Sequence, residues 1–139
     1  PAAEKTVLPL AGLHLLLAED NELNSEIATA LLEEQGASIT AVENGRLALE
    51  AIQNAAPRTY DAILMDVMMP EMNGLEATRC IRAFEGKGPG EGTPIIAMTA
   101  NVFADDVKAC LDAGMNSHVG KPLDMKVLIG EILKYTDAR

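Results

Sequence analysis

The chain has 139 residues, a length that suits one compact domain and leaves little room for a second. Eleven basic residues face 21 acidic ones, so the formal net charge is −10, and a surface this acidic repels the phosphates of nucleic acids. No apolar run approaches a membrane span and no signal-type segment opens the sequence, so we expect a cytoplasmic domain that inserts into no membrane directly. A longer parent protein would reach a membrane only through other domains.

The first half of the sequence alternates short apolar runs with helical patterns. Residues 1–12 carry two prolines and no clear period, which is typical of a linker or tail before a domain over 13–136. Short apolar runs bounded by turn residues predict buried strands at 13–18 and 38–42, with helices at 22–35 and 45–53. In the first helix, Ile27, Ala28 and Leu31 have helical spacing and are predicted to face the core, which leaves Leu23 at the margin of the buried stripe.

The second half repeats the alternation and ends in a short tail, 137–139. Strands are predicted at 62–65, 94–98 and 117–120, and helices at 75–84, 102–113 and 125–135. In the helix at 102–113 we expect Val107, Cys110 and Leu111 to face inward. Regular alternation implies crossover connections and a five-stranded parallel sheet with helices on both faces. The predicted fold class is therefore a doubly wound α/β sandwich.

Chemically active side chains follow four of the predicted strands, whose carboxyl ends share one edge of a parallel sheet. Glu19 and Asp20 follow the first strand, Asp66 the third, Thr99 the fourth and Lys121 the fifth. Carboxylates this close repel one another unless a cation joins them, and hard oxygen ligands favour Mg²⁺. An ionised Asp66 beside such a metal is placed to attack phosphorus, while Thr99 and Lys121 hold phosphoryl oxygens.

Four motifs carry these residues and together resemble the receiver domains of bacterial response regulators and hybrid sensor kinases. They are Leu17-Ala-Glu-Asp-Asn21, Met65-Asp-Val-Met-Met-Pro-Glu-Met-Asn-Gly74, Met98-Thr-Ala100 and Gly120-Lys-Pro122. The resemblance runs from about residue 14 to residue 134 and implies a flavodoxin-like sheet of order 2-1-3-4-5. It also implies a monomeric isolated domain that takes a phosphoryl group from a histidine kinase or a histidine phosphotransfer domain.

The resemblance assigns roles to the acidic residues and to the loop that follows Asp66. It makes Asp66 the phosphoacceptor. It makes Glu19 and Asp20 the acidic pair that binds Mg²⁺ together with Asp66, with Asp20 a direct ligand. The backbone carbonyl of Met68 would complete the protein ligands of the metal.

The resemblance also assigns the remaining residues of that edge. Thr99 would be the switch hydroxyl, grouped with Ala100 in phosphate binding, and Lys121 would pair with the phosphoryl group. The bond before Pro122 would be cis. One position departs from the family, because His118 stands where a tyrosine or phenylalanine usually rotates on phosphorylation. An imidazole is smaller and titrates near neutral pH, which puts the usual aromatic switch in doubt.

Two further functions compete with phosphoacceptance. An aspartate-nucleophile phosphatase or mutase needs a second Asp two residues after the nucleophile, and Met68 occupies that place. A degenerate receiver would bind a partner without phosphorylation, although all five expected site residues are present here. The stretches 99–106 and 112–116 look more like receivers of hybrid histidine kinases than receivers fused to DNA-binding domains.

The position of Leu23 beside the site predicts a partner contact. Leu23 lies in the first turn of the helix that directly follows Asp20. An apolar side chain there is a candidate anchor for a phosphotransfer partner, and a half-buried core residue is the alternative. Replacement of Leu23 by Asp is expected to separate partner docking from the chemistry at Asp66.

Overall fold

The computed structural model describes residues 8–88, 90–100 and 104–136, and it gives only the backbone of Ala104 and Asp105. Within these ranges five strands alternate with five helices. The strands are β1 (His14–Ala18), β2 (Ser38–Val42), β3 (Ala62–Asp66), β4 (Ile95–Thr99) and β5 (Ser117–Gly120). The helices are α1 (Glu22–Glu34), α2 (Gly45–Asn54), α3 (Gly74–Glu85), α4 (Ala104–Ala113) and α5 (Met125–Thr136). The predicted start of α4 at 102, the tail 137–139 and the first seven residues of the predicted linker lie outside the described residues.

The five strands form one parallel sheet in the order β2-β1-β3-β4-β5. The doubly wound, flavodoxin-like prediction is therefore confirmed. β1 lies between β2 and β3, and the chain winds in opposite directions on either side of it. In such sheets ligands bind where the winding reverses, outside the carboxyl ends of the strands. The topology thus brings the residues after β1 and β3 next to each other.

Alternate side chains of the central strands fill two separate apolar layers. On β1, Leu15 and Leu17 face the layer covered by α1 and α5, while Leu16 and Ala18 face the layer covered by α2, α3 and α4. The same alternation runs along β3 and β4, all of whose residues are buried. Because both faces are covered, these strands are continuous apolar runs up to their last residue. The position of a polar residue at a strand end, such as Asp66, is therefore fixed by the packing of the strand within the sheet.

Two helices present different residues to the core from those predicted. In α1 the buried side chains are Ala28 and Leu32, whereas Ile27 is 50% exposed and Leu31 is 37% exposed. In α4, Cys110 is buried and Leu111 is 44% exposed. Neighbouring residues lie about 100° apart around a helix, so a helix rotated by one position exchanges its buried row for the adjacent one. The predicted buried stripe of α1 was therefore correct at Ala28 and wrong at Ile27 and Leu31.

The segment before β1 packs on the domain. Leu10, inside the predicted linker, is fully buried in the layer under α1, and its N–H donates to the carbonyl of Gln35 at 2.9 Å. Gly36 has φ +104°, and a Cβ there would lie 2.8 Å from the backbone nitrogen of Ala11. Close backbone approach therefore requires glycine at the turn between α1 and β2. Residues 8–12 are packed against this turn.

A buried charged network ties α3 to the amino ends of β4 and β5. Arg82 is 4% exposed, and its guanidinium donates to the carbonyls of Gly114 and Thr93 and to the side chains of Glu85 and Asn116, each at 2.9 Å. Burial lowers the pKa of Arg82, and the hydrogen bond and charge of Glu85 oppose that effect. Four of the five guanidinium N–H donors therefore have partners, and such pairing lowers the penalty for burying an arginine.

The described helices include none that is both long and apolar enough to cross a membrane.

Candidate functional site

Three carboxylates meet at the carboxyl edge of the sheet. Glu19 and Asp20 follow β1, and Asp66 is the last residue of the neighbouring β3. One oxygen from each of the three lies within 4.8 Å of the others. Glu19 and Asp66 are buried, while Asp20 is exposed. The sheet order therefore brings together residues that are 46 or more positions apart in the chain, as the sequence predicted.

Lys121 provides the cation of this cluster. Its Nζ donates to Asp66 Oδ2 at 3.0 Å and to Glu19 Oε1 at 3.1 Å, and its side chain is 25% exposed. Burial lowers the pKa of Lys121, but the hydrogen bonds and charges of Asp66 and Glu19 outweigh burial and leave the pKa raised. Lys121 is consequently a full cation at neutral pH. One ammonium faces three carboxylates, so acidic groups are in excess at this edge.

Glu19 and Asp20 have different environments although they are adjacent. Glu19 Oε1 accepts from Lys121, and its Oε2 accepts from the N–H of Asn21 at 3.1 Å. Asn21 caps α1, because its Oδ1 accepts from the N–H of Asn24 at 2.9 Å. Within the described part of the chain, no side-chain hydrogen bond or ion pair is formed by Asp20. Asp20 is therefore the carboxylate of the cluster most available to an added cation.

The loop after β3 fixes the position of Asp66. Asp66 Oδ1 accepts from the N–H of Met68 at 3.3 Å, and the N–H of Gly74 donates to the carbonyl of Val67 at 2.9 Å. A Cβ on Gly74 would overlap the carbonyl oxygen of Asp66. Only glycine lets α3 begin this close to the end of β3. The side chain of Met68 is 78% exposed, so this residue contributes its backbone rather than its thioether to the site.

The ends of β4 and β5 complete the same edge. Thr99 is the last residue of β4, is 7% exposed and lies opposite Gly120 in the strand register. The N–H of Lys121 donates to the Thr99 carbonyl at 2.9 Å, and the Lys121–Pro122 bond is cis. Ala100 follows Thr99 and is exposed. Thr99 and Lys121 therefore lie at the edge of the sheet where β3 ends in Asp66, and Lys121 reaches the carboxylates directly.

His118 and Leu23 lie outside the carboxylate cluster. His118 is half-buried in β5, opposite Ala97 of β4. Leu23 is 64% exposed in the first turn of α1, and Ile27 and Leu31 follow it on the same face at intervals of four residues. The structure thus brings Leu23 into an exposed apolar row, not to the margin of a buried stripe.

The apolar row continues into a groove beside the site. The groove has a volume of about 530 Å³ and lies between α1 and the segment that follows β5. Its lining includes Ile27 and Leu31 together with Glu19, Lys121 and Leu123. Sequence reasoning missed the exposed role of Ile27 and Leu31. The sequence does contain a second apolar row at helical spacing, Ala28 and Leu32. Weighing this pair against Ile27 and Leu31 would have shown that either row could be the buried one.

The sequence matches a family model over residues 15–133, and the description of that model is "Response regulator receiver domain". Among curated proteins, it is 41% identical to a probable histidine kinase 1 of Oryza sativa subsp. indica over 140 residues, covering 81% of this chain and 14% of that protein. It is 38% identical to the sensor protein GacS of Pseudomonas syringae over 122 residues, covering 88% of this chain and 13% of GacS. The chain therefore spans about one seventh of these relatives, and the resemblance to receivers of sensor kinases is confirmed.

Two solved structures share the fold and more than a quarter of the sequence. The receiver domain of the sensor histidine kinase PA1611 from Pseudomonas aeruginosa, with magnesium coordinated in its active-site cleft, superposes with a TM-score of 0.79 at 38% identity. That match covers 91% of this chain and 99% of the other. The receiver domain of Ssk1 from Saccharomyces cerevisiae, crystallised with the histidine phosphotransfer protein Ypd1, gives a TM-score of 0.81 at 26% identity, covering 92% and 91%.

Proposed function

Because the chain belongs to the family of response regulator receiver domains, we propose that it serves a two-component phosphorelay by accepting a phosphoryl group on Asp66. The observation that carries the proposal is the meeting of Asp66 with two further carboxylates and Lys121 at the carboxyl edge of the sheet. In the transfer, a carboxylate oxygen of Asp66 forms a bond to phosphorus as the phosphorus–nitrogen bond of a phosphohistidine breaks. The donor imidazole leaves with the electron pair of that bond and takes up a proton.

The donor set fits a magnesium ion. Glu19, Asp20 and Asp66 would hold the ion with the backbone carbonyl of Met68, and all of these are hard oxygen ligands. Because Asp20 is exposed, a bound ion would be accessible to water and to phosphoryl oxygens. When bound, Mg²⁺ supplies positive charge that neutralises the phosphoryl oxygens during transfer.

The remaining residues of the edge would hold the phosphorylated side chain. Lys121 is already within 3.0 Å of Asp66, so its ammonium would move from the carboxylate to a phosphoryl oxygen. Thr99 would donate its hydroxyl to another phosphoryl oxygen, next to Ala100 at the end of β4. His118 would replace the usual aromatic ring in reporting the change, three residues before Lys121.

The proposed partner is a histidine kinase or a histidine phosphotransfer domain. The donor imidazole must line up with Asp66, so the partner has to cover the open edge of the sheet. The exposed row of Leu23, Ile27 and Leu31 lies directly beside that edge, and the groove it borders includes Glu19 and Lys121 of the site. We assign this row to the docking of a phosphotransfer helix, which would bury the three apolar side chains.

The isolated domain is proposed to be a cytoplasmic monomer that neither binds nucleic acid nor turns over phosphate monoesters. A phosphatase of the aspartate-nucleophile type needs a general acid two residues after the nucleophile, and Met68 offers no proton there. The phosphoryl group would therefore be held for relay and lost only slowly to water.

Phosphorylation is tested by the intact mass of the protein incubated with acetyl phosphate. With Mg²⁺ the chain should gain one phosphoryl group, and with a chelator the gain should be lost. Asp66→Asn should remain unlabelled, while Asp112→Asn, an exposed carboxylate on α4, serves as the matched control and should label like the parent. Full labelling of Asp66→Asn would refute the assignment.

Docking is tested by comparing two phosphodonors. Leu23→Asp or Ile27→Asp should slow transfer from a phosphotransfer domain by about tenfold, since a lost apolar anchor costs about 1–2 kcal/mol. Labelling by acetyl phosphate should be unchanged, because Asp66 and the metal ligands are untouched. Leu111→Asp provides the control, as Leu111 is similarly exposed on α4. Equal loss with both donors would mean that Leu23 and Ile27 support the fold instead.

A further inference from the structure

A second cavity lies at the opposite edge of the sheet from Asp66. The end of α2, the loop that leads into β3 and the end of α3 enclose a volume of about 640 Å³. This volume is within the range of small-molecule sites, which bind ligands between apolar walls and a few polar groups. The proposed phosphorelay uses none of the residues that line it.

The cavity is positively charged although the chain as a whole is acidic. Three of its lining residues carry charge: Arg58, Lys87 and Glu85. Glu85 is internally compensated, because Arg82 donates to its Oε1 and the N–H and hydroxyl of Thr93 donate to its Oε2. In the described ranges, Arg58 and Lys87 form no ion pair and no side-chain hydrogen bond. Two unpaired cations therefore face one concave surface of a protein with a net charge of −10.

The backbone at Arg58 holds an unfavourable conformation. Its φ is +65°, and Glu71 is the one other non-glycine residue with positive φ in the described part of the chain. A left-handed conformation costs a residue with a Cβ about 1–2 kcal/mol, and such residues cluster at ligand sites. Arg58 lines the cavity in this conformation, together with its neighbours Pro57 and Thr59.

Aromatic and apolar groups form much of the remaining cavity wall. Phe84 is 53% exposed at the end of α3, and Tyr60 and Ile52 line the same cavity. A ring this exposed offers a face for stacking, and a guanidinium favours planar anions that accept two hydrogen bonds, such as phosphate. The combination suits a ligand that has both a planar ring and a phosphate.

From these features we infer that the cavity binds a small phosphorylated aromatic ligand of the nucleotide class. The ring of the ligand stacks on Phe84, and its phosphate pairs with Arg58 and Lys87. The site is independent of the carboxylate cluster and needs no metal.

The test is titration of the ¹⁵N-labelled protein with AMP, followed by NMR in the presence of a chelator and at constant ionic strength. Shift changes should be largest at amides of residues 52–60 and 84–88 and should extend only to Gly92 and Thr93, which line the same cavity. Arg58→Gln and Lys87→Gln should each weaken AMP binding by about tenfold, since each loses a charge-assisted hydrogen bond. Phe84→Leu, which keeps the apolar bulk and removes the ring, should weaken AMP more than inorganic phosphate.

Two controls separate this site from general charge attraction. Lys126→Gln removes an exposed lysine from α5 and should leave AMP binding unchanged. Adenosine, which lacks the phosphate, and inorganic phosphate, which lacks the ring, should each bind more weakly than AMP. The inference is overturned if AMP shifts no amide in these two segments, or if all three cavity variants bind AMP like the parent. Binding of an acidic peptide without binding of AMP would also overturn it, because the cavity would then serve a protein partner.

Discussion

Buried charge lies at both edges of the sheet, in two clusters that are compensated differently. At the amino edge, Arg82 makes four hydrogen bonds and pairs with Glu85. At the carboxyl edge, Lys121 faces Glu19, Asp66 and the nearby Asp20, so negative charge is in excess. β4 joins the two clusters, since Thr93 precedes it and Thr99 ends it.

The difference separates a cluster that supports the fold from the cluster proposed to accept the phosphoryl group. Removing one partner from a satisfied buried network leaves unpaired donors and costs stability. Removing one carboxylate from a cluster with excess negative charge relieves repulsion, so stability rises while function is lost. Substitution of Arg82 at the amino edge and of Asp20 at the carboxyl edge should therefore have opposite effects on stability, and the following experiments test this contrast and the role of Lys121 in it.

The largest expected effect is at the amino edge. Arg82→Met should lower the free energy of unfolding by about 3–5 kcal/mol, because Glu85 and the carbonyls of Thr93 and Gly114 lose their donor. Urea unfolding measures this change. Arg79→Met is the matched control, as Arg79 is exposed on the same helix, and it should change stability little. Similar stabilities for the two variants would show that the buried network contributes nothing.

The second effect is stabilisation of the carboxyl edge by metal. Mg²⁺ at ten times its dissociation constant should raise the free energy of unfolding by about 1.4 kcal/mol, because the ion binds only the folded state. Asp20→Asn should remove most of this gain, since it removes a carboxylate that forms no ion pair with any described residue. Thermal unfolding with and without Mg²⁺ measures it, with Asp112→Asn as the control. An undiminished gain in Asp20→Asn would place the metal elsewhere.

The third effect is smaller and has the opposite sign to that at Arg82. Without metal, Asp20→Asn should stabilise the protein by about 0.5–1 kcal/mol, because one of three crowded negative charges is lost. The gain should shrink as salt is added, since Asp20 is exposed and its interactions are screened. A loss of stability in Asp20→Asn without metal would contradict the repulsion on which the contrast depends.

The smallest effect concerns how the contribution of Lys121 to stability changes with pH. Burial lowers its pKa, but Asp66 and Glu19 outweigh burial and raise it. Because the pKa of Lys121 is raised in the folded state, its charge contributes its full stabilisation at pH values below the usual lysine pKa of about 10.4. This contribution is lost as the pH rises through the pKa of the folded state. The stability difference between the parent and Lys121→Met should therefore stay constant from about pH 7 to 9 and shrink at higher pH. A difference that already shrinks near neutral pH would mean that Lys121 is not held by these carboxylates.

The sequence predicted the sheet, and which polar residues lie at its carboxyl edge, for one physical reason. In a parallel sheet covered on both faces, strands are apolar runs and their polar ends point to one edge, so Asp66, Thr99 and Lys121 were identifiable from position alone. The helix faces were less predictable. α1 offers two apolar rows, and packing against the sheet decides that Ala28 and Leu32 rather than Ile27 and Leu31 are buried.

Features that depend on tertiary contact were not predictable from local sequence. Arg82 resembles an ordinary surface residue of α3, because its partners Thr93 and Asn116 come from distant segments. Leu10 lies in a stretch with no period, and only the docking of that stretch on the turn at Gly36 shows that it is buried. The burial of such residues depends on contacts between distant segments, and no local sequence pattern predicts those contacts.

The central claim is that Asp66 carries the phosphoryl group as an acyl phosphate. The most direct measurement is peptide mapping after reduction of the phosphorylated protein with borohydride, which converts an aspartyl phosphate to the corresponding alcohol. We expect reduction at Asp66 alone, only when Mg²⁺ is present during phosphorylation, with Glu19 and Asp20 left intact. Reduction at either of those two residues, or a phosphoryl group that resists borohydride, would contradict it.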